Sequence, residues 1–173
     1  MERIARFYKV SREQFVQDWK DTFGEGTEEA QILEIYEGIQ LPRRATSGSA
    51  GYDIFLPDKI CLEPGQSVKV PTGIRAEIDE GWVLQIYPRS GLGFKYRLQL
   101  NNTVGIIDSD YFFSDNEGHI QIKVMNDSRE GKTVELAGGM AFAQGIFMGY
   151  GITVDDDCSG VRNGGFGSTS GQS

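Results

Sequence analysis

Five short segments carry residue types that suit chemistry better than packing. Pro88-Arg-Ser-Gly91 sets a guanidinium, a hydroxyl and a flexible backbone N–H together, a combination matched to phosphate oxygens. Asn102-Thr-Val-Gly-Ile-Ile-Asp-Ser-Asp-Tyr111 combines an amide, a hairpin-like glycine, two carboxylates and an aromatic ring. Ser47-Gly-Ser-Ala-Gly-Tyr-Asp53 ends a loop with a carboxylate entering a strand, and Gly139-Met-Ala-Phe-Ala-Gln144 ends in an amide after small residues. The last, Arg162-Asn-Gly-Gly-Phe-Gly-Ser-Thr169, adds an arginine, a phenylalanine, two hydroxyls and a glycine-rich backbone. Taken singly, each is an ordinary turn or a loose terminus. Arg162 and Phe166 argue otherwise for the tail, since an apolar ring has little reason to sit in a linker. Taken together and in this order, the five are more than turns, and phosphate oxygens are the ligand chemistry they suit.

Such residues need a rigid frame, and 173 residues are one domain's worth of chain, enough to bury a core. Residues 1–173 are therefore expected to form a single domain. Its first part differs from the rest. Ser11-Arg-Glu-Gln14 resembles a capping box that opens a helix through Phe15, Trp19 and Phe23, and a second helical stretch runs from Thr27 to Glu37. These make a helical insertion over 11–38. From Ala45 the periodicity becomes two: Val68, Val70, then Ile74, Ala76, Ile78, then Trp82, Leu84, Ile86, then Ile120, Ile122, Val124. Many short strands at near-regular spacing predict a mainly β, jelly-roll-like sandwich or barrel with a helical insertion near its start.

Composition narrows the partner. The formal net charge is −8, with no Lys/Arg block, which speaks against a non-specific nucleic-acid binder. A phosphorylated small molecule remains compatible, because a few arginines and a divalent cation suffice to hold it. No stretch approaches a membrane span. The opening MERIARFYKV lacks a secretory pattern, and Cys61 and Cys158 form no metal spacing or disulfide framework, so a cytoplasmic setting is expected. No Gly-x-x-x-x-Gly-Lys loop is present.

The ordered set resembles the trimeric deoxyuridine triphosphatase (dUTPase) family, whose five motifs can all be matched over residues 45–169. The resemblance implies a jelly-roll subunit, a homotrimer with active sites at subunit boundaries, and Mg²⁺-assisted hydrolysis of dUTP to dUMP and pyrophosphate. It implies roles as well. Asp108 would orient and deprotonate the attacking water, and Arg162 would serve as an arginine finger. Arg89, Ser90, Gly91 and Gln144 would meet the phosphates. Asn102 and the backbone around Gly105, Ile106 and Ile107 would read uracil, Tyr111 would pack on the deoxyribose and exclude a 2′-hydroxyl, and Gln121 would add a contact to the nucleoside. Phe166 would stack over the uracil while Gly167, Ser168 and Thr169 meet the terminal phosphates, making residues 161–173 a mobile lid. Asp53 would support the site or a metal-bound water. Mg²⁺ would be held through triphosphate oxygens and waters, with no direct protein ligand.

The chain departs from the family pattern at several points. Asn-Thr-Val-Gly stands for the usual Asn-Ala-Pro-Gly, which loosens the hairpin; Ala141 stands where many members carry arginine; Arg162 is one residue closer to the double glycine; and Ser170 replaces a final glycine. Residues 112–116 form an insertion after Tyr111. This insertion and the N-terminal helices are expected to decorate the surface, with a protein partner as the second reading of both. His119, the single histidine, is expected at the surface or a subunit contact, and Trp19 and Trp82 in packing. Two other functions stay open: a deaminase of the related dCTP family, and a nucleotide-responsive regulatory module.

Overall fold

The computed structural model describes residues 2–160. The chain opens with strand β1 (Ala5–Lys9), followed by helices α1 (Arg12–Phe23) and α2 (Glu29–Glu37). Strands then dominate: β2 (Arg43–Arg44), β3 (Tyr52–Phe55), β4 (Ile60–Leu62), β5 (Ser67–Pro71), β6 (Ile74–Ile78) and β7 (Trp82–Pro88). A short helix α3 (Ser90–Tyr96) precedes β8 (Leu98–Leu100) and β9 (Gly105–Ile107), a 3₁₀ turn covers Ser109–Phe113, and β10 (Gln121–Asn126), β11 (Val134–Leu136) and β12 (Ala141–Gly149) follow.

The largest sheet has the order β2-β3-β12-β7-β9, a second is β5-β10-β8, and two antiparallel pairs, β1-β6 and β11-β4, complete the framework. Apart from β2 and β3, neighbours in these orders are not consecutive in sequence, as a jelly-roll-like arrangement requires. Alternation explains which faces meet. Ile54, Leu84, Ile86 and Phe142 of the large sheet share one core with Val70, Leu98, Leu100, Ile122 and Val124 of the three-stranded sheet. In β12 the register shifts between Ala141 and Ala143, so consecutive Phe142 and Ala143 are both fully buried. A bulge of this kind re-aims the residues that follow, and Gln144 comes next.

The N-terminal helices are part of that same core, which corrects the expectation that they decorate the surface. Phe15 and Ile32 are completely buried and Trp19 nearly so. Burying such side chains contributes about 1.5–3 kcal/mol each, so the helices belong to the folding unit. The capping box is only half formed. The Ser11 hydroxyl accepts the Gln14 N–H at 3.1 Å, but the Gln14 side chain reaches forward to Asp18 at 2.9 Å. The Ser11 N–H instead donates to Glu117 at 2.8 Å, and its hydroxyl donates to the same carboxylate at 2.6 Å. A residue 106 positions away completes the cap.

His119 corrects a second expectation, being fully buried rather than at the surface. Its Nε2 accepts the Gly73 N–H at 2.7 Å, which leaves the ring proton on Nδ1, 2.5 Å from Asp18 Oδ2. Burial opposes charge on Asp18, yet the hydrogen bonds from His119 and Gln14 outweigh it and hold the carboxyl below its ordinary value. Residues 112–116 are also not mere decoration. Arg75 lies over the Phe112 ring with its guanidinium carbon 3.6 Å from the centroid, and donates to the Phe112 carbonyl at 2.5 Å. Ser114 is buried, while Phe113 stays exposed.

Candidate active site

A cavity of about 480 Å³ is bounded by Ile86 of β7, Leu100 and Asn101 at the end of β8, Asn102, all of β9, Tyr111 and residues 120–123, together with Lys69. Its volume lies in the range of small-molecule sites. Asn102, Gly105, Ile106, Ile107, Tyr111 and Gln121, six residues singled out in the sequence, all line it. β9 is placed by antiparallel pairing to β7, Gly105 opposite Ile86. A side chain at position 105 would bring a Cβ within 3.1 Å of Ile86 Cβ, so glycine is what allows the strand this close.

Gly105 is therefore a strand residue and not the apex of a hairpin. The turn lies one step earlier, over Asn101–Val104, and links the two larger sheets. Thr103 adopts φ 68°, and the Val104 N–H donates to the Asn102 carbonyl at 2.7 Å. A proline at 104 would have no such donor, so valine here adds a tie instead of loosening the segment. A β-branched residue at positive φ is costly, and the flanking bond from the Thr103 N–H to the Leu100 carbonyl at 3.1 Å helps to hold it.

Asp108 follows Ile107 directly and heads the 3₁₀ turn that carries Tyr111. It is half-buried, whereas Asp110 is exposed. The Tyr111 side chain is buried, with its hydroxyl donating to the His119 carbonyl at 2.8 Å and accepting from Asn116 Nδ2 at 2.9 Å.

A second cluster sits where β3, β12 and the end of β7 come side by side. Gln144 is paired across to Asp53 on one side and to Tyr87 on the other. Arg89, just past β7, is ion-paired to Asp53 at 3.2 Å, and Gln144 Nε2 donates to the Pro88 carbonyl at 3.0 Å. Gly51 gives Gln144 its room, since a Cβ there would stand 2.7 Å from Gln144 Oε1. Arg89, Ser90 and Gln144 line an open cavity of about 590 Å³ with Phe94, Arg97 and Gln99. Ser90 and Gly91 form the first turn of α3, a helix that Gly91 and Gly93 conceal from propensity. Lys69, Lys123, Phe94 and Arg97 line the two cavities without having been singled out, because isolated cations and an aromatic in mixed sequence carry no local signal.

The two cavities share no lining residue. Arg162, Phe166, Gly167, Ser168 and Thr169 lie outside the described residues. Among the described residues, no group of three or more His, Cys, Asp or Glu side chains is gathered to hold a metal ion, and no helix is long and apolar enough to cross a membrane.

A mainly β chain with a cavity of small-molecule size and a separate arginine–glutamine cluster defines a protein of the jelly-roll type with two candidate binding regions. The dUTPase family pattern matches residues 37–170, and the chain belongs to the dUTPase family. It is 40% identical over 135 residues to the deoxyuridine 5′-triphosphate nucleotidohydrolase of Lactococcus lactis, covering 76% of this chain and 89% of that one. Among solved structures, the dUTPase from Streptococcus mutans superposes with a TM-score of 0.63 at 32% identity, covering 87% of this chain and 98% of that chain. The fold also matches the dUTPase of Staphylococcus bacteriophage 80alpha with dUPNHPP, at a TM-score of 0.64 and 19% identity over 96% of this chain and 98% of that one.

Proposed function

We propose that the chain hydrolyses dUTP to dUMP and pyrophosphate, limiting uracil in DNA and supplying dUMP for thymidylate synthesis in the cytoplasm. The observation that carries this is the single cavity lined by Asn102, β9, Tyr111 and Gln121, with Asp108 next in the chain to Ile107. Asn102 and the β9 backbone would read the polar edge of uracil. The Tyr111 ring would lie against the sugar and leave no space for a 2′-hydroxyl.

Asp108 would take a proton from the water that attacks the α-phosphorus, displacing pyrophosphate. Arg89, Ser90, Gly91 and Gln144 would bind the phosphates, with Asp53 orienting the Arg89 guanidinium through its ion pair. Since Asp53 is engaged and no carboxylate cluster is gathered among the described residues, Mg²⁺ would fit as an ion held by triphosphate oxygens and waters. It would supply charge neutralisation for the leaving pyrophosphate. Arg162, Phe166, Gly167, Ser168 and Thr169 would close over the bound nucleotide as a lid.

The separation of the two cavities supports a homotrimer with shared sites. In such an assembly the nucleoside cavity of one subunit would face the phosphate cluster of another. The inward faces of the N-terminal helices are taken up by the core, which gives the regulatory-module reading no support of its own.

The test is to mix the protein with dUTP, UTP, dTTP and dCTP plus Mg²⁺ and to measure pyrophosphate and ammonia. Pyrophosphate from dUTP alone is expected; ammonia from dCTP would overturn the reading. Asp108→Asn should lower kcat by about 10²–10⁴-fold, the usual contribution of a general base, while dUTP still binds. A fully active Asp108→Asn enzyme would remove the base assignment.

A further inference from the structure

We propose that Asn116 is a specificity-determining positioning residue, whose Nδ2–H fixes the Tyr111 ring that would exclude a ribose 2′-hydroxyl. The inference rests on the nucleoside-cavity reading above and extends it to a segment that the family motifs do not contain. A phenolic hydroxyl has one proton to give and lone pairs to receive. In Tyr111 both are used: it donates to the His119 carbonyl at 2.8 Å and accepts from Asn116 at 2.9 Å. The far end of the ring is thereby pinned from two directions, so the face that lines the cavity cannot swing away.

Asn116 is itself held firmly enough to do this. Its Oδ1 accepts the Gly118 N–H at 3.1 Å, and its backbone carbonyl accepts the His119 N–H at 3.1 Å. Glu117 and Gly118 turn the chain with φ 58° and 68°. Gly118 packs so closely beneath Tyr111 that a Cβ there would lie 2.6 Å from the Tyr111 carbonyl oxygen. The turn is anchored from outside by Ser11, which gives both its N–H and its hydroxyl proton to Glu117, and by Arg75 on Phe112. The inserted residues, with Glu117 and Gly118, thus form a clamp behind the wall of the cavity that would face the sugar. Discrimination against a single hydroxyl depends on that wall not yielding.

The test is a double-mutant cycle of Asn116→Ala and Tyr111→Phe, with kcat and KM measured for dUTP and UTP and affinity measured for dUMP and UMP. Asn116→Ala should raise the UTP-to-dUTP ratio of kcat/KM about fivefold, the equivalent of one net hydrogen bond of about 1 kcal/mol, and the UMP-to-dUMP ratio of affinities should move with it. The change should appear mainly in KM. Once Tyr111→Phe has removed the hydroxyl, adding Asn116→Ala should have no further effect on the ratio. Asn116→Ser serves if the alanine variant does not fold. A folded Asn116 variant whose ratios stay within about twofold of wild type, or two substitutions whose effects multiply independently, overturns the proposal. A wild-type protein that prefers dUMP to UMP yet hydrolyses no dUTP sinks the hydrolase reading alone and leaves the cycle to be read by binding. A protein with no preference between dUMP and UMP sinks both.

Discussion

Replacing Asp18 with alanine should destabilise the whole domain, although Asp18 lies in a helix that precedes every motif. The carboxylate accepts hydrogen bonds from His119 Nδ1 at 2.5 Å and from Gln14 Nε2 at 2.9 Å. His119 cannot turn to another partner, because its Nε2 is occupied by the Gly73 N–H at 2.7 Å. Alanine would therefore leave a fully buried N–H without an acceptor. That loss, together with the charge-assisted bond it replaces, amounts to about 3 kcal/mol. Gln14 is half-buried and can be solvated instead, so its share is small. For a chain of this length each kcal/mol moves the melting temperature by about 2–4 °C, giving an expected drop of about 6–12 °C. Asp18→Asn keeps an acceptor oxygen and should lose about half as much. Melting followed by circular dichroism, at equal protein concentration because assembly would contribute, reads the effect directly. An Asp18→Ala protein melting within about 2 °C of wild type would refute the reasoning, since no buried donor could then have been stranded. Acid offers an independent check. The folded-state carboxyl titrates below its ordinary value of 3.8, so its stabilisation is complete above that value and is lost as pH falls through the lowered one. Wild-type melting temperature should fall in that window, and Asp18→Asn should fall less.

Two glycines give further predictions. Gly118→Ala places a Cβ 2.6 Å from the Tyr111 carbonyl and 2.7 Å from Phe112 Cα at φ 68°; with backbone strain of about 1–3 kcal/mol, it should lower the melting temperature and weaken dUMP affinity together, and an unchanged melt would show that the turn can open without cost. Gly51→Ala meets only the flexible end of Gln144 at 2.7 Å. It should leave the melting temperature within about 2 °C of wild type but raise KM for dUTP about fivefold by displacing one phosphate contact of about 1 kcal/mol. Deoxyuridine binding, measured by calorimetry, should not change; a matching loss there would mean that the substitution disturbs the nucleoside cavity instead.

What could be read from the sequence was local. Strands such as Ile120-x-Ile122-x-Val124 announce themselves by alternation, and Arg89, Asn102, Asp108 and Gln144 stand in short motifs whose residue types suggest phosphate or base recognition. Helix α3 was hidden because Gly91 and Gly93 oppose helix formation, and tertiary packing of Leu92 and Tyr96 overrides them. The segment Ser109–Phe113 was legible only as a solvated turn, the usual fate of Asp-Ser-Asp, and not as a 3₁₀ turn that carries a buried Tyr111.

The errors at His119, at the N-terminal helices and at residues 112–116 have one physical origin. Asp18 meets His119 across 101 residues, Ser11 meets Glu117 across 106 and Arg75 meets Phe112 across 37, and no periodicity or motif spacing carries such a pairing. Read separately, a helix pair and a short insertion look dispensable. In the folded chain the helices and the insertion are linked through the residues just after it: the Glu117 carboxylate caps the helix, the Asp18 carboxylate holds His119, and the His119 carbonyl together with the Asn116 amide holds the Tyr111 hydroxyl. Removing the helices would strand the buried His119 N–H, and removing residues 112–116 would take the Asn116 donor from Tyr111, at about 1–3 kcal/mol for each buried group left unpaired. The helices and the turn over 116–119 therefore act as a single brace on Tyr111, the ring against which the sugar would rest.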